Sequence, residues 1–172
     1  MSTTVTQQKQ PEFVIMMGLP AAGKTTTATN MFGNTHQFIC ADTIKKTHAD
    51  FDANNPQLLH AWSKDVADGM MEEALNNPVR DMLWDTTGTD FPKVSRVIQE
   101  AESAGFNVRS VFVTVTLEES IFRNNNRKEH RVVPRDAIEH KASVINSVAD
   151  KVSELVQMTI VNNMKRDTSL LA

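Results

Sequence analysis

The residues Gly18-Leu-Pro-Ala-Ala-Gly23-Lys24-Thr25 constrain this chain more than any others. They fit G-x-x-x-x-G-K-[ST], a phosphate-binding loop that works only between a strand and a helix. Both neighbours are legible. Phe13-Val-Ile-Met-Met17 is a short apolar run with strand character, and Lys24-Thr-Thr-Thr-Ala-Thr-Asn-Met31 can form a helix. Gly18 and Gly23 let the backbone close around phosphate oxygens with N–H groups pointing inward. A helix starting near Gly23 adds the positive end of its dipole. Ala21, Ala22 and Thr26 belong to the same cradle by position. Lys24 is placed to reach the outer phosphates, and Thr25 Oγ to hold Mg²⁺. The competing reading, a glycine-containing turn after a strand, leaves the following lysine and threonine unexplained.

The rest of the chain alternates strand and helix, which predicts an α/β fold with a parallel sheet between two helical layers. Gln37-Phe-Ile-Cys40 reads as a second strand and Asp42–Thr47 as a brief helix. Asn55-Pro56 opens a long helix to about Leu75, with Leu59, Trp62, Val66 and Met70 as its core face. Asp81-Met-Leu-Trp84 is a third strand ending at Asp85. Thr89 or Asp90 caps the next helix, with Pro92 in its first turn and Gly105 past its end. Val94, Val97, Ile98 and Ala101 form its buried stripe. Val108–Val115, rich in β-branched residues, is a fourth strand, followed by a helix from Leu117 to about Arg127. Pro134 starts a helix with Ile138, Ala142, Ile145, Val148 and Val152 on one face. Leu155–Val161 is read as a fifth strand. The expected limits are a disordered leader over 1–11, one domain over 12–163 and a C-terminal tail over 164–172, with the chain read as loose from about Asn162.

Composition narrows the class. At 172 residues the chain suffices for one domain with a real core. The net charge of −3 argues against a protein built mainly to grip long nucleic acid. No apolar run approaches a membrane span, and the N-terminus lacks the apolar core of a signal peptide. A single cysteine, Cys40, excludes an internal disulfide and suits a reducing cytoplasm. In its apolar run it reads as a small core residue. No His/Cys cluster has zinc-ligand spacing, and His60 reads as structural or surface-exposed.

Phosphoryl transfer needs more than a cradle, and three features supply candidates. Asp42 follows the second strand, and strand ends in such sheets share one edge with the phosphate loop. A carboxylate there can take the proton of an attacking hydroxyl; it can equally cap the following short helix. Asp85 ends the third strand, where an acidic residue suits a Mg²⁺ contact or a turn into the next helix. Arg123 and Arg127, spaced i, i+4, point the same way on a helix, and Arg131 extends the run. The stretch from Arg123 to Arg131, within a segment of about 123–133, has polar and basic residues and no apolar anchor. It reads as a mobile lid whose arginines neutralise charge on the transferring phosphoryl group, or as a solvated helix face.

Together these residues resemble the P-loop kinase group that contains the zeta-toxin family and the 5′-hydroxyl polynucleotide kinases. The resemblance covers about residues 12–163. Ala41-Asp42-Thr-Ile-Lys-Lys46 is similar to the segment bearing the catalytic aspartate in both families. Trp84-Asp85-Thr-Thr-Gly88 and Ala104-Gly105-Phe-Asn-Val108 resemble the middle of zeta-toxin-like kinases. Arg123-Asn-Asn-Asn-Arg127 and Arg131-Val-Val-Pro134 look like the lid of both groups. Val156–Asn163 resembles their last strand, where the chain turns beside the adenine. The resemblance implies a P-loop NTPase fold of the nucleoside-kinase-like type, three-layered α/β/α, with a five-stranded parallel sheet and a helical lid. It implies ATP and Mg²⁺ as cofactors, with Lys24 and Thr25 serving both. Asp42 is then the general base, Arg123 and Arg127 the lid arginines, and Asn163 a nucleotide contact. There are departures. Zeta-toxin-like sequences place a His-Glu pair in the long helix, where this chain has His60-Ala61-Trp62-Ser63. Polynucleotide kinases carry an arginine three residues after the catalytic aspartate, where this chain has Lys45.

The expected activity is transfer of the ATP γ-phosphate to a hydroxyl of a nucleotide sugar or other small molecule. A polynucleotide 5′-hydroxyl kinase is the alternative within the class. An ATP-hydrolysing switch or motor subunit is the alternative outside it. An antitoxin partner and a monomeric state belong to the same expectation.

Overall fold

The computed structural model describes residues 9–52, 54–127 and 132–164. Its strands are β1 (Glu12–Met17), β2 (Gln37–Ile39), β3 (Met82–Asp85), β4 (Asn107–Thr114) and β5 (Gln157–Asn162). Its helices are α1 (Lys24–Phe32), α2 (Ala41–Lys45), α3 (His60–Asn76), α4 (Phe91–Ala104), α5 (Leu117–Asn125) and α6 (Arg135–Leu155). Every strand pair is parallel, and the order across the sheet is β2-β3-β1-β4-β5. This is the expected α/β class: a three-layer α/β/α arrangement on a five-stranded parallel sheet. Because each parallel crossover lays a helix on a face, central strands are buried on both sides and read as continuous apolar runs. Phe13 to Met17 of β1 are all fully buried. Ile39 and Trp84 face the groove between α3 and α4. The opposite face meets α1, where Phe32 lies under the Arg109 guanidinium at 5.0 Å.

The helix on Phe91–Ala104 follows its sequence signals closely. Asp90 caps it, accepting from Lys93 N–H at 3.1 Å, and Gly105 ends it with φ 104°, a left-handed value that suits glycine. Val94, Val97, Ile98 and Ala101 are all buried. Three expectations need correction. The long helix does not start at Asn55-Pro56: residues Pro56–Leu59 form a 3₁₀ turn and the α-helix begins at His60. Its inward positions are Ser63 and Ala74, with Ala67, Met70, Met71 and Leu75 packed against the core. Trp62 is therefore not a core residue; it is half-buried and meets His48 edge-on at 4.5 Å. Finally, Asn162 belongs to β5 and Asn163 is hydrogen-bonded, so neither is part of a loose tail. The rest of that tail, and residues 1–8 of the expected leader, lie outside the described residues. No described helix is long and apolar enough to cross a membrane.

Candidate functional site

β1 ends at Met17, and two backbone bonds carry its pairing with β3 into the loops beyond. Thr86 N–H donates to Met16 O at 3.1 Å, and Gly18 N–H donates to Thr87 O at 3.2 Å. The phosphate loop and the Thr86-Thr87-Gly88 turn therefore lie side by side at the C-terminal edge of the sheet, where such sheets bind ligands. Gly18 is needed there, since a Cβ would come within 2.6 Å of the Val113 carbonyl oxygen. Gly23, with φ 89°, precedes α1 and offers no side-chain cap. The N–H groups of the first helical turn are thus left open towards the loop, as an anion site requires. Ala21 adopts φ 57°, a conformation uncommon outside glycine.

Lys24 Nζ donates to the carbonyls of Gly18 (3.0 Å) and Leu19 (3.1 Å). Burial holds its pKa below the ordinary lysine range, the charge of Asp85 opposes this, and the charge of Arg127 adds to it. Arg127 thus lies within electrostatic reach of the loop. Thr25 Oγ1 donates to Asp85 Oδ2 at 3.2 Å, so the helix-start hydroxyl and the strand-end carboxylate meet. Burial raises the pKa of Asp85, and Lys24 partly restores it. Cys40 Sγ lies 3.8 Å from the same Oδ2. Burial pushes its thiol up, and the Asp85 charge pushes it further. The donors offered beside the loop are therefore hard oxygens, which fit Mg²⁺.

Asp42 stands in the first turn of α2. The residue preceding that helix is Cys40, and no side chain caps it, so the capping alternative for Asp42 does not hold. Its carboxylate is 83% exposed, with Lys45 Nζ at 3.5 Å, while the Lys45 side chain is itself only 10% exposed. The charge of Asp42 is felt at both Lys24 and Asp85. A solvent-facing carboxylate beside a buried ammonium, across from an anion cradle, can accept a proton from a hydroxyl that enters between them.

The arginines are arranged differently from the expected shared face. α5 stops at Asn125, because Asn124-Asn-Asn126 are poor helix formers that hydrogen-bond locally. Arg127 follows the helix, with its N–H donating to Asn124 O at 3.1 Å, so it does not share a helical face with Arg123. Arg123 is engaged, donating from Nε to Glu119 Oε1 (2.7 Å) and from Nη2 to Asn163 O (2.6 Å). The segment is held instead by a polar contact. Asn124 is buried, donates to Val133 O (2.8 Å) and accepts from Val133 N–H (2.9 Å). This polar clamp ties the two ends of the segment. Residues 128–131 of the expected lid, including Arg131, lie outside the described residues.

Sequence reasoning passed over Ser120, took Asn124 only as part of the lid motif and read Cys40 only as a small core residue. Ser120, fully buried, donates to Pro20 O at 2.7 Å. Its signal was a polar residue on the inward side of a helix, which the sequence does not distinguish from an ordinary surface serine.

The family model for AAA_33, an AAA domain, matches residues 13–155. Among solved structures, the AvrRxo1-ORF1:AvrRxo1-ORF2 complex with sulphate ions is similar at TM-score 0.75 and 18% identity, covering 89% of this chain and 55% of that one. The same pair with ATP gives TM-score 0.72 at 18% identity, covering 85% of this chain and 50% of that one. The PezAT toxin–antitoxin system of Streptococcus pneumoniae gives 0.67 at 20%, covering 90% and 68%. The Pnkp1/Rnl/Hen1 RNA repair complex gives 0.67 at 15%, covering 87% and 49%. At these identities the likeness is one of fold, and the chain spans about half the length of several of these structures. No curated protein matches it. With its phosphate loop, parallel sheet and family match over most of its length, the chain belongs to the AAA_33 family and has a P-loop kinase-like fold.

Proposed function

We propose that the protein is an ATP-dependent phosphotransferase that moves the γ-phosphate to a hydroxyl of a nucleotide sugar or other small molecule. The observation that carries this reading is the convergence of Lys24, Thr25, Asp85 and Asp42 at one sheet edge, with the Asp42 carboxylate open to solvent and the Asp85 carboxylate largely buried. The loop N–H groups and Lys24 hold the triphosphate. Thr25 and Asp85 would hold Mg²⁺, which when bound neutralises charge on the phosphoryl oxygens. Asp42 takes the acceptor's proton as the O–P bond forms and the bond to the ADP oxygen breaks. Arg127 counters the charge spread over the transferring group. An antitoxin-type partner belongs to the same proposal, supported by the PezAT system among the similar folds.

The test is a transfer screen with γ-labelled ATP against nucleotide sugars, nucleosides and 5′-hydroxyl oligonucleotides, with Lys24→Ala as control. Label on a nucleotide sugar or other small molecule, lost in Lys24→Ala, supports the proposal. Label on oligonucleotides alone moves it to a polynucleotide kinase. Release of phosphate with no labelled acceptor replaces it with a hydrolytic switch.

A further inference from the structure

Two carbonyls of the phosphate loop are gripped from outside by side chains of distant segments. Ser120 Oγ on α5 donates to Pro20 O at 2.7 Å, and Asn163 Nδ2, just past β5, donates to Ala22 O at 2.7 Å. In a planar trans peptide the carbonyl and the next N–H point in opposite directions. Holding Pro20 O outward therefore turns Ala21 N–H inward, and holding Ala22 O outward turns Gly23 N–H inward. Among the described residues neither N–H has a protein acceptor. The two gripping residues are themselves braced. Asn163 N–H donates to Thr114 O at 3.0 Å. Asn163 O accepts from Arg123 Nη2, and Arg123 is locked by Glu119, whose side chain is 3% exposed. A Cβ at Gly23 would run into Asn163 Nδ2.

We infer that Ser120 and Asn163 are positioning residues that aim the loop N–H groups at phosphate, and that Arg123 acts through Asn163 rather than on the nucleotide. This gives Asn163 a role on the phosphate side, where the family resemblance implied a nucleotide contact beside the adenine. The inference rests on the proposal above that this loop holds a triphosphate. It explains why a lid-side arginine is spent on a backbone carbonyl and why a packed helix carries a buried serine.

The two roles separate when the adenosine is removed from the probe. Calorimetric titration with Mg²⁺-tripolyphosphate and with a Mg²⁺-bound non-hydrolysable ATP analogue is compared for wild type, Asn163→Ala and Ser120→Ala. Each variant loses one hydrogen bond that orients the cradle, so each should bind both probes about tenfold more weakly. In turnover, KM for ATP should rise while kcat falls less. Tripolyphosphate affinity unchanged in both variants overturns the inference, and a loss confined to the ATP analogue returns Asn163 to the nucleoside. If Asn163→Ala does not fold, Ser120→Ala carries the same readout; failure of both to fold makes the contacts structural and also overturns it. A wild-type chain that binds neither probe defeats the underlying proposal, a result distinct from wild-type binding that the variants leave intact.

Discussion

Replacing Asn124 by alanine should destabilise the fold by about 2 kcal/mol. Asn124 is 1% exposed, and its amide makes a two-way contact with Val133, donating at 2.8 Å and accepting at 2.9 Å. Each such bond contributes about 1 kcal/mol net. The variant also strands the N–H and C=O of Val133. Val133 is half-buried, so water can reach part of this and the sum stays near the two-bond value. A site that excluded water fully would raise it to about 4 kcal/mol. Asn124→Asp should fare no better, because its carboxylate keeps the acceptor but faces the Val133 carbonyl where the donor was. Urea denaturation is the assay. With a slope of about 2 kcal/mol/M, the midpoint should fall by about 1 M with the slope unchanged. A midpoint shift below about 0.2 M in Asn124→Ala would refute the claim that this clamp joins the end of α5 to the start of α6.

Asp42→Asn is nearly isosteric and removes the base; transfer should fall by a factor on the order of 10²–10⁴ while equilibrium ATP binding stays within a few-fold, and near-normal turnover on the true acceptor would end that assignment. Arg127→Ala should lower turnover by a factor on the order of 10³ with a smaller loss of ATP affinity, and Arg127→Lys should restore little, because the planar fork is what grips two phosphate oxygens; a raised KM for ATP with kcat unchanged would point to simple ground-state binding. The Glu12 carboxyl lies below its ordinary value of 4.5 because Arg109 hydrogen-bonds it, against a desolvation cost from burial and with help from His36. A depressed folded-state pKa contributes stability that is present above the unfolded value and lost as pH falls through the folded one. Arg109→Met should therefore cost about 2–3 kcal/mol at neutral pH and flatten the fall in melting temperature from about pH 5 downward; an unchanged acid limb would show that the pair at 2.6 Å contributes nothing.

The parallel sheet, the phosphate loop between its strand and helix, and the α4 stripe with its terminating glycine are legible in the residues alone. These are local properties: periodicity, glycine spacing and capping chemistry act within a few residues. The sequence also nominated Lys24, Thr25 and Asp85, because a strand-end carboxylate and a loop lysine must share one sheet edge in this topology. The remaining features come from packing between distant segments. Trp62 left the core because Ser63 and Ala74 are the residues α3 turns inward. Arg127 left the face of Arg123 because three asparagines ended the helix early. Asp42 lost its capping role because Cys40 holds that position. Ser120 reaches Pro20 across 100 residues of chain, Asn163 reaches Ala22 across 141, and Arg123 reaches Asn163 across 40. Hydrogen bonds between residues so far apart leave no periodic trace in either segment. They exist only once the sheet order has brought β1, β4 and β5 together, and that packing decides which carbonyls of the loop are held outward.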